Sequence, residues 1–130
     1  MMTLTVASDH PDIAAAQARL IAFLEQHDTD PRTILRSELL FEEVVLNAIL
    51  HGGAPEVTVT ATPGQDGVGL VFVDAGRAFD PATAPLRDAG ASVAASRIGG
   101  RGLLLLRKMT RSLAYERTRD GRNRLSLVVA

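Results

Sequence analysis

The sequence predicts one continuous domain that combines helices and strands, and three observations support this prediction. Two apolar helical patterns occupy most of the first 51 residues. Two pairs of alternating segments follow at residues 57–73 and 112–129, each joined by a turn signal. No internal repeat or low-complexity tract interrupts the chain, and a length of 130 residues suits a single hydrophobic core. We therefore expect one domain over residues 1–130.

The chain is predicted to begin with a strand and a helix. Thr3 to Val6 has the pattern of a short strand. Ser8 or Asp9 then offers an N-cap, and Pro11 suits the first turn of a helix, where a missing N–H costs nothing. This helix is predicted to run to about His27, because apolar residues recur at helical spacing: Ile13, Leu20 and Leu24, flanked by Ala16, Ile21 and Phe23.

A second and more apolar helix is predicted from Pro31 or Arg32 to His51. Gly52 and Gly53 end it, because glycine adopts the left-handed capping conformation without penalty. A hairpin with its turn at residues 63–67 comes next.

The second half of the chain continues with a long irregular segment. A loop is predicted over residues 77–100, with a short helix near residues 89–96. A buried helix from Gly102 to Met109 follows it. The last predicted element is a hairpin of Ser112–Thr118 and Arg124–Val129, joined through Asp120 and Gly121.

Composition excludes several classes of protein. The chain is 46% hydrophobic and 22% charged, with a mean hydropathy of +0.12, which is typical of a folded globular chain. No apolar run approaches the length of about 18 residues that a membrane span needs. The N-terminus lacks the basic flank and apolar stretch of a signal peptide, so we expect a cytoplasmic protein. There is no cysteine, and the three histidines have no metal-ligand spacing, so neither a disulfide nor a zinc site is predicted.

The charges are balanced overall but unevenly distributed. A net charge of −1 predicts neither direct nucleic-acid binding nor membrane binding. Residues 97–130 hold nine basic and two acidic residues, a net charge of +7, whereas residues 1–96 carry −8. The basic third could meet phosphates or an acidic partner, or it could be the solvated face of a helix and a strand.

Glu43 and Asn47 are the first candidate functional residues. On a helical wheel Glu43 lies near the middle of an arc of leucines, with Asn47 one turn further on; the arc consists of Leu35, Leu39, Leu40, Leu46 and Leu50. A buried carboxylate needs a cation, a water network or a ligand to offset its desolvation. Two oxygens one turn apart suit Mg²⁺, which takes few protein ligands and completes its shell with water and phosphate. The alternative is a helix-edge glutamate bonded to an arginine.

Two further motifs follow along the chain. Asp74 and Gly76 come directly after a strand, where the carboxylate could accept a hydrogen bond from an exocyclic amine and the glycine could let a flat ring approach. Gly99–Gly102 opens a helix, whose free N–H groups attract phosphate. Each motif by itself is also consistent with an ordinary turn or loop. Neither a P-loop, a dinucleotide fingerprint nor a hydrolase elbow is present.

The three motifs occur in the order E-x-x-x-N, D-x-G and G-x-G. Together they resemble the GHKL family of ATP-binding domains. That family includes histidine-kinase catalytic domains, gyrase-type ATPases and stand-alone anti-sigma factor serine kinases of the RsbW and SpoIIAB type. Residues 42–52 and Gly99–Leu103 are most similar to the last group.

The resemblance implies an α+β fold of the Bergerat type. This fold is a two-layer α/β sandwich with helices on one face of a mixed, mostly antiparallel sheet, and ATP binds between the helices under a lid, here residues 80–99. By the same resemblance, Asn47 would ligate Mg²⁺, Glu43 would be the general base and Asp74 would hold the adenine amine. The other cofactor-binding residues that it implies are Gly76, Ala78, Gly100, Arg101, Gly102 and Leu103.

The implied activity is that of a serine/threonine protein kinase. Its partners would be a small anti-sigma factor antagonist of the STAS type, which it phosphorylates, and a sigma factor, which it sequesters; a homodimer is a further expectation. Two departures bear on turnover: Ala78 stands where a second glycine is common, and Arg122 and Asn123 follow Gly121 where a threonine is common. A nucleotide-binding or partner-binding module without catalysis is the alternative. A detached histidine-kinase catalytic domain ranks below it, because no phospho-accepting histidine helix is evident.

Overall fold

In the described part of the chain, five strands form one sheet, and two long helices pack against one of its faces. The computed structural model describes residues 1–9, 12–81 and 106–130. The elements in chain order are β1 (Met2–Ala7), α1 (Ile13–Gln26), α2 (Pro31–Leu46), a π-helical turn (Asn47–His51), β2 (Glu56–Gly64), β3 (Gly67–Asp74), β4 (Thr110–Arg117) and β5 (Asn123–Val129). The strand order is β1-β2-β3-β5-β4. Every strand pair in these ranges is antiparallel, and the predicted α+β sandwich is confirmed.

The hydrophobic core lies between the sheet and the two helices. Strand alternation directs one row of side chains from each strand toward the helices; the buried row includes Leu4, Val6, Val57, Val59, Ala61, Val68, Leu70, Phe72, Leu125, Leu127 and Val129. The helices contribute Ala16, Leu20, Leu24, Leu40, Phe41 and Val45. Phe41 of α2 and Phe72 of β3 have ring centroids 6.5 Å apart. This contact ties α2 to the middle of the sheet, next to the strand end that carries Asp74.

The first helix begins later than its sequence signals predict. Asp12 is the N-cap of α1, and its side chain accepts a hydrogen bond from the N–H of Ala15 at 3.0 Å. The prediction of Ser8 or Asp9 as the cap is therefore wrong, and Pro11 lies outside the described residues. Ser8, Asp9 and Asp12 are all residue types that can cap a helix, and the local sequence does not decide among them.

The leucine arc predicted around Glu43 is also wrong. Leu35, Leu39 and Leu50 are 56%, 39% and 59% exposed. The face of α2 that packs on the sheet consists of Thr33, Ser37, Leu40, Phe41 and Val45. Since α2 is apolar on several sides, its periodicity alone could not identify the packed face. Glu43 lies at the half-buried border of that face rather than among buried leucines.

The end of the second helix widens into a π-helical turn. The sequence predicted α-helix up to His51, but residues Asn47–His51 form this π-helical turn instead. In it, the N–H of Gly52 donates to the carbonyl of Asn47 at 2.9 Å. A Cβ on Gly52 would lie 2.7 Å from the carbonyl oxygen of Ala48, so glycine permits this close turn. Gly53 then adopts a φ of +67° and ends the helical segment as predicted.

The predicted hairpins are present. The pairs β2–β3 and β4–β5 match the expected strands to within a few residues. In the turn between β4 and β5, the Thr118 hydroxyl donates a hydrogen bond to the Asp120 carboxylate. This bond lowers the pKa of Asp120, and the positive charge of Arg122 lowers it further. Residues 106–109 are helical, in agreement with the end of the helix predicted to reach Met109. The predicted helix at residues 89–96 lies outside the described residues.

Gly67 is expected to be essential for the stability of the sheet. Its φ is +129°, and a Cβ there would lie 2.0 Å from the carbonyl oxygen of Val129. We expect Gly67→Ala to lower the free energy of unfolding by about 3 kcal/mol, because backbone strain adds to a displaced strand pair. Gly64→Ala is the matched control, since its nearest neighbour, the carbonyl oxygen of Gly67, is 3.6 Å away. Urea denaturation followed by circular dichroism measures both, and equal effects would contradict this account.

Within the described ranges, no helix is long and apolar enough to cross a membrane.

Candidate functional site

A cavity of about 290 Å³ lies between the end of α2 and the adjoining ends of β3, β5 and β4. Its described lining is mostly apolar, with a few polar groups, as is typical of small-molecule sites. The apolar part includes Val44, Ala48, Phe72, Ala78, Phe79, Pro81, Leu106 and Leu125. The polar part includes Asn47, His51, Asp74, Arg77, Tyr115 and Asn123. Three sequence-predicted residues, Asn47, Asp74 and Ala78, therefore share one cavity.

Asp74 lines this cavity, and one of its two carboxylate oxygens is already hydrogen-bonded. It is the last residue of β3, on the helix-facing row, and is 9% exposed. Its Oδ1 accepts the N–H of Gly76 at 2.8 Å and Nδ2 of Asn123 at 3.1 Å. Its Oδ2 receives no hydrogen bond from the described residues. A ligand in the cavity that carries an N–H donor, such as an exocyclic amine, can therefore bind to Oδ2.

Gly76 allows the chain to pass close to the end of α2. A Cβ at this position would lie 2.8 Å from the carbonyl oxygen of Gly52 and 2.9 Å from Oδ1 of Asp74. The next residue, Arg77, donates its backbone N–H to the carbonyl of Gly52 at 2.9 Å and its side chain to the carbonyl of His51. The absence of a side chain at Gly76 thus keeps Asp74 in place and holds the β3 exit against the π-helical turn.

Asn47, at the end of α2, also lines the cavity and carries an amide oxygen. Its Nδ2 donates to Oε1 of Glu43 at 3.2 Å, one helical turn earlier. That bond fixes the amide so that Oδ1 is the open group, and Oδ1 receives no hydrogen bond from the described part of the chain. Glu43 itself does not line the cavity among the described residues. Among the described residues the hydrogen-bond partner of Glu43 is therefore Asn47, and no arginine in these ranges bonds to it.

Asn123 joins three elements at the end of the sheet. Its Nδ2 donates to Asp74 and, at 2.8 Å, to the carbonyl of Arg77. Its Oδ1 accepts the hydroxyl of Tyr115 at 2.5 Å and Nη1 of Arg117 at 3.1 Å. Tyr115 and Arg117 were not singled out from the sequence. The sequence feature that could have identified them is their spacing: they lie two residues apart on β4, so strand alternation places both side chains on the face that meets Asn123.

Four of the predicted cofactor-binding residues fall in the segment between the described ranges. Gly100, Arg101, Gly102 and Leu103 lie outside the described residues. Leu106, the first described residue after them, is buried and lines the cavity. Arg107 donates from Nη2 to the carbonyl of Pro81 at 3.0 Å and so joins residues on either side of the segment 82–105.

The donor set fits a magnesium nucleotide better than a free metal ion. No group of three or more metal-ligating histidine, cysteine or acidic residues occurs in the described ranges. Mg²⁺ typically binds one or two protein oxygens and takes phosphate and water for the rest, and the open Oδ1 of Asn47 supplies one such oxygen. The apolar lining, with the Asp74 carboxylate among its polar groups, suits an aromatic base with an exocyclic amine.

An antiparallel sheet with helices on one face and a cavity at the sheet end defines a two-layer sandwich class with a site for a small ligand. The chain belongs to the histidine kinase-like ATPase domain family, whose match covers residues 6–129. The GHKL resemblance predicted from the three motifs is thereby confirmed. Comparison with curated protein sequences gives no significant match.

Among solved structures, the chain is similar to one from the crystal structure of the SiaB–SiaC complex of Pseudomonas aeruginosa. The two share 17% sequence identity with a TM-score of 0.59, and the alignment covers 99% of this chain and 89% of that one. At this identity the similarity establishes a shared fold.

Proposed function

We propose that this chain binds Mg·ATP in the cavity and transfers its γ-phosphoryl group to a serine or threonine of a small antagonist protein of the STAS type. The same chain would sequester a sigma factor, and the two partners would compete for it. The observation that carries the proposal is that Asp74 and Asn47, each with one side-chain oxygen that accepts no hydrogen bond from the described residues, line the same mostly apolar cavity.

The base end of the cavity supports the nucleotide part of the proposal. Oδ2 of Asp74 would accept the exocyclic amine of adenine, and Phe72, Phe79 and Leu125 would pack around the ring. The bond from Gly76 to Asp74 keeps the acceptor oriented before the ligand arrives. A pre-oriented acceptor loses less entropy on binding than a free side chain does.

The other end of the cavity supports phosphoryl transfer. Phosphoryl transfer depends mainly on positioning and charge neutralisation. Mg²⁺, when bound, would neutralise charge on the phosphates, and Oδ1 of Asn47 would be its protein ligand. Glu43 carries the carboxylate that would take the proton from the attacking hydroxyl, and His51 lies at the cavity wall one turn beyond Asn47.

Two considerations support the proposed protein partner: a solved complex with this fold, and the charge that phosphorylation adds. One solved structure with this fold comes from a complex of two proteins, SiaB and SiaC. Phosphorylation adds about −2 of charge to the acceptor protein, which would disrupt an interface next to acidic residues and release the product. Residues 1–96 carry a net negative charge, which would repel the phosphate group on the acceptor protein.

A phosphotransfer assay tests this function. The protein is incubated with γ-labelled Mg·ATP and a small candidate antagonist protein of the STAS type. We expect label on serine or threonine of the antagonist, stable to acid, at a rate that saturates with ATP. Acid-labile label would instead indicate histidine transfer, and no label despite measured binding of nucleotide and antagonist would overturn the kinase assignment.

One observation favours a second candidate, a nucleotide-dependent binding module without catalysis. Oε1 of Glu43 accepts a hydrogen bond from Asn47, and Glu43 does not line the cavity among the described residues. In such a module Glu43 would act only by orienting Asn47. The same assay separates the two candidates, because a binding module would retain both partners and label neither.

A further inference from the structure

A polar row crosses three strands at the end of the sheet. Asp74 of β3 is paired with Asn123 of β5, and Asn123 is paired with Arg117 of β4. Residues paired directly across antiparallel strands project from the same face, so all three continue the helix-facing row that is apolar further along. Asn123 and Asp74 are both buried. Buried polar groups in such a row are stable only when their hydrogen bonds are satisfied.

The amide of Asn123 can adopt only one orientation in this network. Its NH₂ group faces three acceptors: the Asp74 carboxylate and the carbonyls of Gly76 and Arg77. Its oxygen faces two donors, the Tyr115 hydroxyl and the Arg117 guanidinium. A flipped amide would place an oxygen against three acceptors and an NH₂ group against a guanidinium that can only donate. Arg117 also donates to the carbonyl of Gly76 at 2.8 Å, which holds its own head group in place.

This fixed amide in turn fixes the carboxylate. Oδ1 of Asp74 is held by two donors from different elements, the backbone of Gly76 and the side chain of Asn123. With Oδ1 held from two directions, rotation of the carboxylate about its last bond would break both bonds. Oδ2, which receives no hydrogen bond from the described residues, therefore points in one direction.

We propose that Asn123, oriented by Tyr115 and Arg117, is a positioning residue that aims the Asp74 carboxylate and makes the cavity select 6-amino purines over 6-oxo purines. This inference rests on the proposed nucleotide site. A 6-amino purine donates to the fixed Oδ2. A 6-oxo purine places its own oxygen against Oδ2, and the carboxylate, held by Asn123, cannot turn away to relieve the repulsion.

The test compares Mg·ADP with Mg·IDP by isothermal titration calorimetry; the two bases differ in the group at position 6 and in the proton that hypoxanthine carries on the adjacent N1. We expect the wild type to bind ADP at least about 30-fold more tightly, as a lost charge-assisted hydrogen bond and an unfavourable contact together imply. Asn123→Ala should reduce this ratio about tenfold, mainly through weaker ADP binding, because the freed carboxylate can rotate. Tyr115→Phe, which keeps the ring and removes the hydroxyl, should reduce the ratio about threefold.

Ser126→Ala is the control, since Ser126 lies on β5 and projects from the opposite face of the sheet. It should leave the ratio unchanged. If Asn123→Ala and Tyr115→Phe weaken ADP and IDP by equal factors, their role is only structural and the inference is overturned. A wild type that binds both nucleotides equally also overturns it while leaving the nucleotide site intact. A wild type that binds neither overturns the proposed function and the inference together.

Discussion

Asp74→Asn is expected to weaken the binding of Mg·ADP by about 100-fold. Oδ1 of Asp74 faces two donors, from Gly76 and Asn123, so the amide oxygen of the introduced asparagine must take that position. The amide nitrogen then replaces Oδ2 and turns a donor toward the exocyclic amine of the base. The loss of one charge-assisted hydrogen bond and the gain of a donor facing a donor cost about 3 kcal/mol, which corresponds to this factor.

The same substitution has a second expected effect, on the choice of base. The new amide N–H can donate to the oxygen of a 6-oxo purine, so Asp74→Asn should bind Mg·IDP more tightly than the wild type does. Calorimetric titration of both nucleotides measures the change, with the exposed turn variant Asp66→Asn as the control for loss of a carboxylate. Unchanged ADP affinity in Asp74→Asn would show that the base does not bind at this residue.

Glu43→Gln is expected to slow phosphoryl transfer by about 10²- to 10⁴-fold, the usual range for removal of a general base. The side-chain oxygen of glutamine can still accept the hydrogen bond from Asn47, so the Asn47 amide keeps its orientation. Binding of Mg·ATP should therefore change little. This variant isolates the proton-accepting role that the GHKL resemblance assigns to Glu43.

Two further variants serve as comparisons for Glu43→Gln. Glu43→Ala also frees the Asn47 amide, so we expect it to weaken Mg·ATP binding as well as transfer. Glu42→Gln changes the exposed neighbouring carboxylate and should behave as wild type. Single-turnover transfer to the antagonist and calorimetric titration together measure both quantities. Transfer by Glu43→Gln at the wild-type rate would remove Glu43 from the chemistry.

Local signals in the sequence predicted most of the described elements. The hairpins were predicted because strand alternation and turn residues act over a few positions, and the structure places β2, β3, β4 and β5 close to the expected bounds. The errors concern a helix start and a packed face. Asp12 rather than Ser8 or Asp9 caps α1, and the leucines at positions 35, 39 and 50 face outward. Both depend on how a helix docks on the sheet, which propensity does not encode.

In the candidate site, too, the local contacts were predicted from the sequence, whereas the long-range ones depend on tertiary packing. Glu43 and Asn47 are one helical turn apart, so their spacing alone predicted that they meet, and the structure joins them by a hydrogen bond. Asp74 and Gly76 are likewise joined within one turn. Asp74 and Asn47 line one cavity only because the contact of Phe41 with Phe72 and the close approach of Gly76 to Gly52 bring α2 and β3 together.

The sequence by itself determined the strands, the helical segments and the three motifs that identify the family, because each depends on residues within a few positions of one another. Tertiary structure decided which oxygen of Asp74 is open. Of the two donors that hold the other oxygen, Gly76 is local, but Asn123 is 49 residues away and reaches it through the pairing of β3 with β5. Tyr115 and Arg117 reach Asn123 through the pairing of β4 with β5. The register between strands depends on the whole packed core, and the direction of a hydrogen bond depends on that register.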